Sequence, residues 1–199
     1  GEPDAEIIYP DPGFPIYESM INFTGAKAIS YNMIENKDFS INPDKILSLI
    51  TKKTRLLILN NPHNPTGGFI EKNAIDKLAN SLKKFPDLAI LSDEVYDRLI
   101  FGNKEIPTLL NYPDLYDRLI ILNGWSKTYA MTGWRLGWSV WPKKLIEHVF
   151  KFCVNSHSCV NTPAQYGAIA ALDGPENHLK DMMKEFGIRR KLIFDGLRS

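Results

Sequence analysis

Apolar residues follow two periods along this chain. Short aliphatic and β-branched runs, bounded by Pro, Gly, Asn or Asp, predict strands at Ala5 to Tyr9, Ala26 to Tyr31, Arg55 to Asn60, Leu88 to Ser92, Arg118 to Leu122 and Arg135 to Val140. Several are nearly continuous, as in Leu56, Leu57, Ile58 and Leu59, the pattern of strands buried on both faces of a parallel sheet. Between the strands, Ile75, Leu78, Ala79 and Leu82 recur at helical spacing and predict one inward stripe. Leu145, Ile146, Val149, Phe150 and Cys153 repeat that spacing. Thr162 and Pro163 predict an N-cap and a first-turn proline, opening a helix that Gly174 closes. Pro175 starts a last helix with Leu179, Met182, Phe186, Ile193 and Leu197 at three- and four-residue steps. Strands alternating with helices predict an α/β fold with a mostly parallel sheet covered by helices. The first strand starts almost at once and the last helix is still running near Ser199, so both ends read as cuts through a larger fold.

Composition narrows the partner. With 44% hydrophobic residues in 199, the chain has enough apolar material for one sizeable core. Its formal net charge of +1 creates no field that would draw nucleic acid or an anionic membrane, so a small molecule is the expected partner. No apolar run approaches the roughly 18 residues of a membrane span. The beginning of the chain lacks the charged-then-apolar pattern of a signal peptide. Cys153 and Cys159 belong to no CxxC pair, and both are expected to be buried, reduced thiols of a cytoplasmic protein. His63, His148, His157 and His178 have no ligand spacing, so no metal is expected. The glycine patterns of dinucleotide and P-loop sites and the GxSxG elbow of hydrolases are missing, and SxxK at Ser81 to Lys84 sits on the helical stripe.

Candidate chemistry collects where strands end, the edge at which open α/β sheets bind ligands. The third strand runs into NNPHNPTGG (Asn60 to Gly68), the fourth into SDEVYD (Ser92 to Asp97) and the fifth into NGWSKTYAMTGWRLGW (Asn123 to Trp138). In order and separation these stretches resemble the class I aminotransferases, pyridoxal-phosphate enzymes of fold type I, in the branch with bacterial aspartate and aromatic aminotransferases. The resemblance covers nearly the whole chain. It implies a three-layer α/β/α large domain, with residues 1–174 as the central part of the cofactor-binding domain and 175–199 as the start of a long helix leading to a small domain.

The same resemblance implies the site. Lys127 corresponds to the lysine that forms a Schiff base with pyridoxal 5'-phosphate and then shuttles the proton. Asp93 corresponds to the carboxylate that keeps the pyridine nitrogen protonated, and alternation along the strand end points its neighbour Glu94 the other way. Tyr96 and Asn64 correspond to donors to the cofactor's ring oxygen. Arg135 corresponds to the arginine that grips the phosphate, and Ser126 to a hydroxyl donor beside it. Phe14, in PDPGFPIYESM, corresponds to the aromatic residue that stacks on the ring. One departure stands out: Gly124 occupies a position where many relatives carry a phosphate-binding serine.

Amino acid and 2-oxo acid substrates and a homodimer follow from the resemblance. It also implies an earlier phosphate-binding turn and a later carboxylate-binding arginine that lie outside this sequence, so the chain by itself is expected to have little transaminase activity. Carbon–sulfur β-lyases and cyclopropane-forming synthases share the lysine, aspartate and NPTG-like features, and the intact lysine, aspartate and arginine also accord with a non-enzymatic aminotransferase-like sensor domain. MTGWRLGW favours the aminotransferases.

Overall fold

The computed structural model describes residues 2–102 and 104–198. Its centre is one six-stranded sheet: β1 (Glu6–Asp11), β2 (Lys27–Asn32), β3 (Thr54–Asn60), β4 (Ala89–Asp93), β5 (Leu119–Gly124) and β6 (Gly137–Val140). The spatial order is β2-β1-β3-β4-β5-β6. The first five are mutually parallel, and β6 pairs antiparallel with β5 at one edge. All six strands fall where the apolar runs predict them, with ends displaced by one or two residues.

Alternation along β3 shows why its run is continuous. Leu57 and Leu59 join a large cluster with Ile8, Ile90, Ile75, Leu78 and Leu82, whereas Ile58 joins a second cluster with Ile7, Tyr17 and Ile21 on the opposite face. Both sides are therefore covered, giving three layers. The first side carries α2 (Pro43–Ser48) and α3 (Lys72–Leu82), and the second carries α1 (Ile16–Phe23). The predicted stripe of α3 is fully realised, since Ile75, Leu78, Ala79 and Leu82 are all buried.

Three expectations need correction. The helix predicted to start from a Thr162 cap, α5 (Thr162–Asp173), is capped by Asn161, whose side chain accepts from the Ala164 N–H at 3.0 Å. Thr162 and Pro163 thus occupy the first two helical positions, where an absent proline N–H leaves nothing unsatisfied. Gly174 closes the helix as expected. Neither cysteine is buried: Cys159 is exposed and Cys153 partly exposed, because they lie on and just after α4 (Ile146–His157). The periodic stripe on α4 is present, yet no residue of that helix is buried within this chain. Pro175 precedes the final helix α6 (Asn177–Arg198), on which Leu179 is the one buried side chain among the described residues.

Candidate active site

The carboxyl ends of β3, β4 and β5 lie side by side, and register brings Asn60 opposite Asp93 and Asp93 opposite Leu122. Asn60 is 2% exposed and serves two main chains. Its Nδ2 donates to the Asp93 carbonyl at 3.0 Å, and its Oδ1 accepts from the Asn64 N–H at 2.8 Å. The NPHNPTGG turn is thereby fastened to the tip of β4. Asn61 holds the far side of the same turn, accepting from the Ile70 N–H at 2.8 Å. Buried His63 sits inside it with Nδ1 2.8 Å from Thr66 Oγ1.

Asp93 and Glu94 point apart, as alternation predicts. Glu94 is buried on one side, where its Oε1 accepts from Ser92 Oγ at 2.9 Å and from the Leu109 N–H at 3.4 Å. Burial raises its carboxyl above the ordinary range. On the other side, Asp93 Oδ2 accepts from the Tyr17 hydroxyl at 2.6 Å, and Oδ1 accepts from the Val95 N–H at 3.3 Å. Burial raises Asp93 as well, and these two bonds oppose that rise.

Tyr96 and Lys127 complete the group. Asn64 Nδ2 donates to the Tyr96 hydroxyl at 3.5 Å, and Lys127 Nζ lies over the Tyr96 ring, 5.4 Å from its centroid. Lys127 leaves β5 in a tight turn closed by bonds from the Tyr129 and Met131 N–H groups to the Trp125 carbonyl. That turn is anchored from outside, because Trp125 Nε1 donates to the Ala168 carbonyl of α5 at 3.2 Å. Phe14 meets Tyr17 edge to face, with centroids 5.8 Å apart. A connected set therefore runs from Phe14 through Tyr17, Asp93, Asn60, Asn64 and Tyr96 to Lys127.

Two candidates stand apart from that chain of contacts. Arg135 is exposed, adopts a left-handed backbone (φ 57°) and donates from Nη1 to the Thr132 carbonyl at 3.0 Å. Ser126 is half-buried next to Lys127. Tyr17 and Asn60 are additions: each lies inside a quoted stretch, PDPGFPIYESM and NNPHNPTGG, but neither is singled out there. The departure at Gly124 has a steric cause: a Cβ there would lie 2.9 Å from the Leu136 carbonyl oxygen and 3.0 Å from Gly137 Cα, so β6 leaves no room for a serine.

An amine, a half-buried carboxylate, an amide and a phenol gathered at one sheet edge are the functional groups needed to hold a pyridine ring bearing an aldehyde and a phenolic oxygen. The fit is chemical as well as positional, because Asp93 is charged only at the expense of burial and the two partners of its carboxylate, Tyr17 and the Val95 N–H, are both donors. A cationic ring nitrogen matches that carboxylate.

The sequence matches the family model for aminotransferase class I and II over residues 1–199. It is 41% identical over 200 residues to a probable aspartate aminotransferase of Methanocaldococcus jannaschii, covering 98% of this chain and 52% of that protein. It is 37% identical to an aspartate aminotransferase of Sulfurisphaera tokodaii, covering 99% of this chain and 49% of that protein. Among solved structures, the aromatic aminotransferase of Pyrococcus horikoshii superposes with a TM-score of 0.92 at 34% identity, over 99% of this chain and 53% of that one. The aspartate aminotransferase of Rhizobium meliloti superposes with a TM-score of 0.94 at 30% identity, over 100% of this chain and 50% of that one. The chain thus spans about half the length of the curated relatives it matches.

Proposed function

Because this chain belongs to the class I and II aminotransferase family, we propose that it forms the catalytic heart of an enzyme moving an amino group from an amino acid to a 2-oxo acid with pyridoxal 5'-phosphate. The observation that carries this reading is the linked set joining Asp93, Asn64 and Tyr96, with the Lys127 amine over the Tyr96 ring. When bound, the cofactor supplies an electron-withdrawing ring that makes the substrate's α-hydrogen acidic.

The roles of the chain's own groups follow from their chemistry. Lys127 Nζ would hold the cofactor covalently and, as a free amine, would accept the substrate's α-proton. Asp93 sets its carboxylate against the ring nitrogen and keeps a proton there. Asn64 and Tyr96 donate to the ring oxygen and orient the ring, and Phe14 covers one of its faces. Arg135 and Ser126 serve the phosphate; the exposed Arg135 fork is free to turn away from the Thr132 carbonyl toward an anion.

The organisation of the protein is proposed on the same basis. Residues 1–174 make up the central part of the cofactor-binding domain, and 175–199 begin a helix leading toward a small domain, in keeping with a helix α6 that buries only Leu179 among its described residues. The relatives' greater length supports the view that this stretch alone transaminates poorly. We assign it to the cytoplasm and to a homodimer. For the dimer, support comes from Phe150, Phe152 and Tyr166, which are 68%, 71% and 72% exposed on α4 and α5, an apolar surface that single chains seldom leave to water. No helix among the described residues is long and apolar enough to cross a membrane.

Titration of the purified protein with pyridoxal 5'-phosphate, followed by borohydride reduction and peptide mapping, tests the reading. A visible absorbance band with the reduced label on Lys127 is expected. A band that persists in Lys127→Ala would refute the assignment.

A further inference from the structure

Tyr17 is a buried, ionisable side chain to which the mechanism above gives no task. It lies on the inward face of α1, 7% exposed, and its hydroxyl reaches across 76 positions of sequence to Asp93 Oδ2 at 2.6 Å. Burial and the neighbouring Asp93 raise the phenol far above its ordinary range, so at working pH it is a fixed donor that never competes for the proton. The Val95 N–H engages the other carboxylate oxygen at 3.3 Å, so both oxygens of Asp93 have a donor.

Resting on the cofactor reading given above, we propose that Tyr17 is a positioning residue for Asp93: its hydroxyl locks the carboxylate rotamer and stabilises the charge that faces the ring nitrogen. The alternative is plain packing, since Tyr17 also belongs to the cluster with Ile7, Ile21 and Ile58. Packing depends on the ring, whereas positioning depends on the oxygen. Tyr17→Phe separates them.

The decisive readout needs no cofactor. In the full chain labelled with carbon-13 aspartate, the Asp93 carboxyl resonance is identified by its loss in Asp93→Asn and followed against pH. A hydrogen bond from a neutral donor favours the charged form of a carboxylate. Tyr17→Phe is therefore expected to raise the Asp93 midpoint by about one unit or more, and an unchanged midpoint would overturn the proposal. If Tyr17→Phe fails to give the native circular dichroism spectrum, the wild-type protein decides: the Tyr17 ring carbon bearing the hydroxyl is expected to shift with the Asp93 midpoint, and indifference to it would count against the bond.

A second arm addresses the cofactor. Tyr17→Phe is expected to weaken pyridoxal 5'-phosphate binding about tenfold when Asp93 is present and hardly at all in Asp93→Asn. Equal weakening in both backgrounds would make the role structural and overturn the proposal. The two readings fail separately: a shifted Asp93 midpoint with no label on Lys127 would sink the cofactor assignment and leave the Tyr17 hold on Asp93 standing.

Discussion

Lys127 Nζ lies over the face of the Tyr96 ring, 5.4 Å from its centroid, while the hydroxyl on the same ring accepts from Asn64 at 3.5 Å. One side chain thus steadies an amine through its π-face and an amide through its oxygen. Tyr96→Phe keeps the first contact and loses the second. A net hydrogen bond contributes about 1 kcal/mol, so cofactor affinity should fall about fivefold. Tyr96→Ala, which loses both contacts, should weaken binding further. Spectroscopic titration of the two variants checks the order, and equal losses would show that the ring plays no part.

Helix α5 offers a test of its own start. Asn161 supplies the capping oxygen, so Asn161→Ala should destabilise the fold by about 1 kcal/mol, whereas Thr162→Ala should be nearly neutral. Urea denaturation of both variants distinguishes them. The reverse ranking would restore Thr162 as the cap.

Gly124→Ser would bring the sequence closer to many relatives, yet the neighbouring strand forbids it. With Leu136 and Gly137 backbone atoms at 2.9 and 3.0 Å from any Cβ, the substitution should cost about 1–3 kcal/mol and should not tighten cofactor binding. A gain in affinity without loss of thermal stability would contradict the geometry.

Glu94 predicts a pH dependence. Burial raises its carboxyl above 4.5, so the folded protein retains a proton that the unfolded chain has released. The stabilisation from that proton is complete below 4.5 and is lost as pH rises through the higher folded value. Asp93 and Asp97, raised chiefly by burial, act in the same sense. Asp76 and Asp114, lowered by bonds to Lys72 and Lys83, act in the opposite sense, losing stabilisation as pH falls below 3.8. Glu94→Gln keeps an oxygen for Ser92 and Leu109 but removes the ionisation. Its denaturation midpoint should therefore decline less from pH 4.5 to neutrality than the wild-type midpoint does. Parallel curves for the two proteins would rule Glu94 out as a contributor.

The strands were legible because a parallel sheet covered on both faces leaves long apolar runs such as Leu56 to Leu59. The stripe of α3 was equally plain. Helix α1 escaped notice because it lasts little more than two turns, and α2 because it has six residues, although Asn42 and Pro43 mark its start. On α4 the period is plain in the sequence, but a period does not say what covers it, and for the same reason nothing local marks Cys153 and Cys159 as lying outside the core. Asn161 and Thr162 are both good caps one position apart, and only the backbone decides between them. Asn64, Asp93, Tyr96 and Lys127 could be picked out because each lies in a motif at a strand end. The bonds that hold Asp93 could not, since Tyr17 and Asn60 reach it from 76 and 33 positions away and leave no local trace.

Asn60 gives the site a separable architecture. Because its single amide spans the tip of β4 and the start of the asparagine turn, those two parts move as one rigid piece set by the sheet and not by the loop. The outer turn has its own supports, the Thr66 bond to His63 and the left-handed φ of 71° at Gly67, so a change there need not reach the carboxylate at Asp93. Such a division lets the turn vary while the carboxylate stays fixed.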